Sequence, residues 1–378
     1  MNKCSLISLV RVVTLWVVLS MAPGCHPYQG YEDTHFDLNI PQIVRVYVGD
    51  PGAGVDVRSG MGTVDRLAQM DGKSVRVFAV NTRDGVRYDR EGGTSTAPDF
   101  LLSGIEGSLS GSLVSWKTAS EYYYPNGSDY YHNYDFTACF LDNLTPLAIQ
   151  RTEDAIRYEV RVDGWQDLMT SRAQAPEGYS FSYLAARTDV HPVFKMQHQM
   201  VKLRFQLKPG VTPGLEKQLK VSDFDLETPL RGYLTVASRG GALAADFSSV
   251  PMPIRLITGL NDRGEYVYFD YDLLTTLPDE SRMSPDKIVK MGGENAYLLL
   301  PPAQSFDCRF QVNDLSTSLP PSDKVQAHLE FPSGEPFKGG NAYVITFELF
   351  GRNQISVYVE MEDWTKYTGQ PLDFNNDW

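Results

Sequence analysis

The residue types that could do chemistry in this chain are few and poorly gathered. Its six histidines, His26, His35, His132, His191, His198 and His328, are scattered. None stands in the HExxH spacing that sets two imidazoles on one helical face around a metal. His191 and His198 are seven apart, which on a strand leaves them on opposite faces. GSLSG, Gly107 to Gly111, has the outline of a nucleophile elbow, but its central residue is Leu109, so the required hydroxyl is missing. Asp223 and Asp225 lack the glycine and the spacing of a calcium loop, and DFNNDW at residues 373–378 reads as a polar tail. There is no GxGxxG and no Walker loop. The chain is expected to be no enzyme, with no cofactor and no metal.

Cysteine offers one piece of covalent chemistry. MNKCSLISLVR carries Lys3 and Arg11, residues 12–22 form a short apolar run, and PGC ends at Cys25. A charged start, a short apolar stretch and small residues before a cysteine are the marks of an export signal. The run is too short for a membrane-spanning helix, which needs about 20 residues. Gly24-Cys25 fits the end of a bacterial lipobox, in which the cysteine thiol is acylated and becomes the mature N-terminus. The leader is then residues 1–24, against the alternative of ordinary signal-peptidase cleavage nearby. Losing Lys3 and Arg11 takes the formal net charge from −13 to −15. A chain this acidic is ill suited to the phosphate backbone of nucleic acid and suits an exported, soluble body. Cys139 and Cys308 remain, each alternating with phenylalanines (Phe136 and Phe140, Phe306 and Phe310). They read as buried free thiols, the alternative being a disulfide between them.

YYYPNGSDYYHNYDF packs six tyrosines into residues 122–136. Pro125-Asn126-Gly127 is turn chemistry, so the tyrosines are expected on two strands of a hairpin, where aromatic cross-strand pairs are favoured. The outward rings, Tyr123 and Tyr131, are candidate glycan contacts, because a flat ring bearing a hydroxyl suits a sugar face. The other strands are easier to see. AIRYEVRV puts Ile156, Tyr158, Val160 and Val162 on one face. VKLRFQLK does the same with Leu203, Phe205 and Leu207, and YVITFELF with Tyr343, Ile345, Phe347 and Leu349. ISVYVEM follows after Gly351-Arg352-Asn353 and pairs with YVITFELF as a hairpin. Period-two alternation over short runs, split by Gly, Pro and Asn, predicts antiparallel sandwiches or barrels. Short helices are expected around Leu67 and Trp165. The Pro/Gly stretch PGVTPG, residues 209–214, marks a domain boundary. It divides the mature chain into 25–210 and 211–378.

The ordered set of features resembles the Bacteroidetes fimbrillins, the subunits of type V pili. A lipoprotein leader precedes a lone strand, IVRVYV at residues 43–48, and then Val57-Arg58-Ser59-Gly60. GKSVRVFAV, the tyrosine-rich stretch, HQMVKLRFQL, AYLLLPP, GGNAYVITFELF and VYVEMEDW follow in order. The resemblance spans the mature chain and implies a mostly β fold of two tandem antiparallel β-sandwich domains, transthyretin-like. It implies a cell-surface fimbrial subunit or accessory adhesin at the outer membrane, with other fimbrial subunits and a surface receptor as partners. It further implies cleavage between Arg58 and Ser59 by a trypsin-like protease, which frees IVRVYV so that another subunit's strand replaces it. Val57-Arg58-Ser59 departs from the family's Thr-Arg-Ala, and Arg58 read alone is an ordinary loop arginine. The runner-up function is a monomeric glycan-binding lipoprotein using the aromatics of residues 122–134.

Overall fold

A computed structural model of the chain describes residues 37–49, 67–90, 99–118, 121–210, 219–255, 257–260, 263, 266–268, 289–291, 297–314, 324–351, 354–362 and 364. Residues 1–40 and 41–378 are separate units. Of the first, residues 37–40 form a turn in which the Asn39 amide donates to Asp37 Oδ1 at 2.9 Å.

Alternating β-branched and aromatic residues make this unit mostly strand. An eight-stranded sheet runs in the order β10 (Gln197–His198), β8 (Met169–Arg172), β5 (Tyr134–Phe140), β2 (Ser74–Asn81), β3 (Phe100–Ser110), β4 (Leu113–Trp116), β1 (Tyr47–Gly49) and β9 (Val193–Lys195). Its two end strands, β9 and β10, are separated only by Met196. Since neighbouring Cα atoms lie about 3.8 Å apart, the sheet must curl until its edges meet there. β9 runs parallel to β1 and β10 antiparallel to β8. Curling explains why β2 and β5 are apolar on both faces. Val77, Ala79, Phe136 and Ala138 are buried on one face, and Phe78, Val80 and Cys139 on the other belong to the main core.

That outer face packs on a sheet of β14 (Ala245–Asp246), β13 (Arg231–Ser238), β7 (Ala155–Arg161) and β6 (Ala148–Arg151), with Phe78 and Tyr158 meeting at 6.0 Å between ring centroids. A third sheet holds β18 (Val289–Lys290), β11 (Val201–Pro209), β22 (Ala342–Leu349) and β23 (Ile355–Glu362), with β19 (Leu298–Leu300) also on β11. A fourth holds β15 (Met252–Arg255), β12 (Leu219–Thr228), β20 (Phe306–Asp314) and β21 (Val325–Leu329). These two press face to face through phenylalanines: Phe205 on Phe224 at 4.8 Å and Phe310 on Phe347 at 4.9 Å. β16 (Ile257–Leu260) and β17 (Tyr266–Tyr268) form a ribbon. β22 and β23 are the antiparallel hairpin expected from their alternation.

The short helix expected near Leu67 forms as a single 3-10 turn, Leu67–Met70. The one expected near Trp165 does not: residues 162–168 lie in neither helix nor strand, with a bend at Gly164. The α-helix among the described residues, α1 (Tyr183–Arg187), has no apolar periodicity long enough to announce it. It is started by Ser182, whose Oγ accepts the Ala185 amide at 3.3 Å. The stretch PGVTPG falls mostly in residues 211–218, outside the described ones, and strand pairing runs across it. β7 pairs with β13 from Arg161↔Arg231, and β11 runs parallel to β22 from Lys202↔Ala342 to Pro209↔Leu349.

Candidate functional site

The lone first strand IVRVYV is where the sequence places assembly, and its position is unusual. Val44, Val46 and Val48 are at most 1% exposed. The Val48 amide donates to Ser112 O at 2.8 Å, the Val114 amide to Val46 O at 2.9 Å, and the Tyr47 amide to Pro192 O at 2.9 Å. The strand thus fills a slot between β4 and β9 and closes the curled sheet, bonded on both sides. Cys25, Arg58 and Ser59, the expected lipidation and cleavage residues, lie outside the described residues.

The tyrosine-rich stretch meets this same strand. Tyr123 bridges antiparallel to Ile43, with Val44 N–H donating to Tyr122 O and Tyr124 N–H to Gln42 O. The expected hairpin does not form. Pro125 and Asn126 lead into a 3-10 turn at Gly127–Asp129, and Asn133 bridges to Ser182 instead. Both halves find partners elsewhere because the first strand and the Ser182 segment offer longer-range edges. Tyr124 and Tyr134 turn inward and are buried. Tyr123 and Tyr131 are 42% and 60% exposed. Tyr131 lies on His132 at 4.3 Å and Tyr123 Oη donates to Glu121, but the two rings are not in contact with each other, so the structure does not join them into one platform.

Other candidates resolve into structural roles. His198 Nδ1 lies 2.8 Å from Asp167 Oδ1 and its ring stacks on Trp364 at 4.3 Å. His191 Nε2 lies 3.1 Å from Asp189 Oδ1. Lys324 Nζ sits 2.8 Å from Asp223 and 2.6 Å from Asp225, so that acidic pair is held by a lysine. Cys139 and Cys308 are free and buried, and burial pushes the Cys139 thiol up to about 12 and the Cys308 thiol up as well. Among the described residues, no group of three or more His, Cys, Asp or Glu side chains is placed to hold a metal.

Sequence reasoning missed a polar cleft of ≈ 470 Å³ beside β2, β5 and β8. Arg83, Arg172, Arg239 and Tyr179 line it together with Asn81 and Tyr134. Nothing in local sequence marks it, since its residues come from four separate segments.

No family model matches the chain, and no curated protein matches it. Solved structures do. A fimbrial protein from Bacteroides vulgatus is 14% identical, covers 86% of this chain over 100% of its own length and has a TM-score of 0.51. A proposed cell adhesion protein from Bacteroides uniformis is 14% identical, with coverage of 87% and 100% and a TM-score of 0.46. The fimbrial anchor protein Mfa2 from Porphyromonas gingivalis is 11% identical, with coverage of 86% and 98% and a TM-score of 0.35. The first of these shares the fold of this chain. At that level the fimbrillin resemblance seen in the sequence is matched: the chain has the fold of a Bacteroides fimbrial protein.

Proposed function

We propose that this protein is a structural subunit or accessory adhesin of a cell-surface fimbria, exported as a lipoprotein acylated at Cys25 and assembled by strand exchange. In this reading it is not a catalyst. Its body is taken as two β-sandwich domains that share strands across the 210/211 boundary, β7 pairing with β13 and β11 with β22. The observation that carries the proposal is the first strand. Three buried valines of the segment 43–48 fill the slot between β4 and β9. Their burial is worth about 1.5–3 kcal/mol each, so removing the strand would forfeit on the order of the whole stability of a domain. Cleavage at Arg58 therefore makes physical sense only if a second chain supplies an equivalent strand.

The test is the mature N-terminus of the surface-exposed protein, read by mass spectrometry. A terminus at Ser59 in assembled material is the expected result for a polymerised subunit. An acylated Cys25 with the strand retained is expected for an anchor. Unlipidated, uncleaved monomer as the sole surface species would sink the proposal. A second reading, a monomeric glycan-binding lipoprotein, is supported by the exposure of Tyr123 and Tyr131. It requires saturable oligosaccharide binding by a stable monomer, lost on replacing both with Ala.

A further inference from the structure

The cleft beside β2, β5 and β8 has features that the subunit role does not use. Three guanidiniums line it, each held from the side by the protein. Arg83 pairs with Asp99. Arg172 Nε lies 3.2 Å from Asp135 Oδ2, while its Nη2 reaches Ser238 Oγ at 3.2 Å. Arg239 Nε lies 3.5 Å from Asp154 Oδ1. Arg172 Nη2 also donates to Ser238 O and Arg239 Nη2 to Val86 O. A guanidinium has five N–H donors, so each head is fixed, its charge is balanced by an aspartate, and some N–H groups stay open.

Two further donors stand behind them. Asn81 and Tyr134 are 3% and 2% exposed. Asn81 Oδ1 accepts the Arg83 amide at 3.0 Å, which orients the Nδ2 group the other way. Asn81 Nδ2 and Tyr134 Oη are within reach of each other, and neither makes a well-formed hydrogen bond within the protein. An unmet buried polar group costs about 1–3 kcal/mol, and both residues line the cleft. A ligand that brought acceptors would recover that cost. At the rim, Tyr179 is 52% exposed and presents a flat ring, while Asp84 and Asn133 are also on the lining and can take hydroxyl protons.

A donor-rich cleft with an aromatic wall asks for a ligand that combines a carboxylate, several hydroxyls and one flat apolar face. We propose that this cleft binds an acidic sugar, a uronic- or sialic-type residue of a surface glycan. Its carboxylate would lie against the arginine N–H groups that Asp99, Asp135, Ser238, Asp154 and Val86 leave open. Its ring would lie on Tyr179 and its hydroxyls would meet Asn81, Tyr134 and Asp84. The volume lies within the about 300–1,000 Å³ common for small-molecule clefts. This goes beyond the fimbrial reading, uses neither Tyr123 nor Tyr131, and fails independently of both.

The experiment is titration of the full mature protein with glucuronate and N-acetylneuraminate, followed by ligand-observed NMR, with glucose and an oligo-glutamate peptide as comparisons. The acidic sugars should bind saturably, more weakly as salt rises, and glucose should not. Arg83→Gln and, separately, Tyr179→Ala should each weaken binding about tenfold, the loss of one good contact. The exposed Tyr179 is the variant least able to disturb folding, and an unchanged circular dichroism spectrum and Tm accompany the expected result. Three outcomes overturn the proposal: no saturable binding of either acid, equal binding of glucose, or affinities that both variants leave unchanged. Stronger binding of oligo-glutamate than of either sugar overturns it too, and makes the cleft a seat for protein carboxylates.

Discussion

Asp142 sits at φ 46° just after β5, with Oδ2 accepting the Asp167 amide at 3.1 Å and Lys73 Nζ 3.8 Å from Oδ1. Burial outweighs both and pushes its carboxyl up to about 6. In the unfolded chain the same group titrates near about 3.9. Between those values the unfolded state has released a proton that the folded state keeps. Stability therefore falls as pH rises through that window, and the full cost, on the order of 2–3 kcal/mol, is present above about pH 6. Asp142→Asn should remove this slope, since asparagine is neutral and tolerates positive φ. Urea unfolding at pH 4.5 and pH 7 checks it: the variant should gain on the wild type by about 1–2 kcal/mol between the two, and a parallel pH dependence would refute the assignment. Little at this scale was legible beforehand. The two free thiols were, because a cysteine alternating with phenylalanines reports its own burial, whereas the burial of Asp142 depends on segments far off in sequence.

Strand β3 shows how an element is shaped by one residue. Its pairing with β2 passes from Val77↔Ile105 to Phe78↔Ser103, leaving Gly104 unpaired at φ 69°. This is a β-bulge with glycine in the left-handed region. A Cβ there would lie 2.8 Å from Tyr158 Oη and 3.1 Å from Phe78 Cζ, so the bulge also lets the four-stranded sheet approach. Gly104→Ala should cost about 2–4 kcal/mol from backbone strain plus overpacking. Gly111, at φ 58° with open space around it, is the control, and its replacement by Ala should cost about 1 kcal/mol. Thermal denaturation of the pair separates the two terms; equal losses would mean that packing against Tyr158 contributes nothing. Alternation made the long strands β7, β11, β22 and β23 readable, down to the buried faces of β7 and β11. The tyrosine-rich turn misled because Pro-Asn-Gly specifies a reversal of direction and is silent about which strand lies alongside.

At the scale of the molecule, closure of the eight-stranded sheet rests on β1 and on the β9–β10 segment that joins its two edges. A chain starting at residue 50 should lack a stable monomeric fold, with the slot between β4 and β9 open. Adding a synthetic peptide spanning residues 41–49 should restore a cooperative transition and raise Tm with peptide concentration, since a ligand that binds only the native state stabilises it by mass action. A truncated chain that melts like the full one, with or without peptide, would show that the strand is dispensable and would remove the physical basis of strand exchange.

The sequence by itself determined that this protein is built largely of strands and which face of β7 and of β11 is buried. Those properties are local: a two-residue period and the chemistry of a few neighbours suffice to express them. Only the tertiary structure decided that the sheet closes on itself, that β7 and β11 pair beyond residue 210, and that Asn81, Arg83, Tyr134, Arg172, Tyr179 and Arg239 share a cleft. Each depends on which strand edges meet, and that choice is made by the summed burial of residues up to a hundred or more positions apart, for which no local pattern stands.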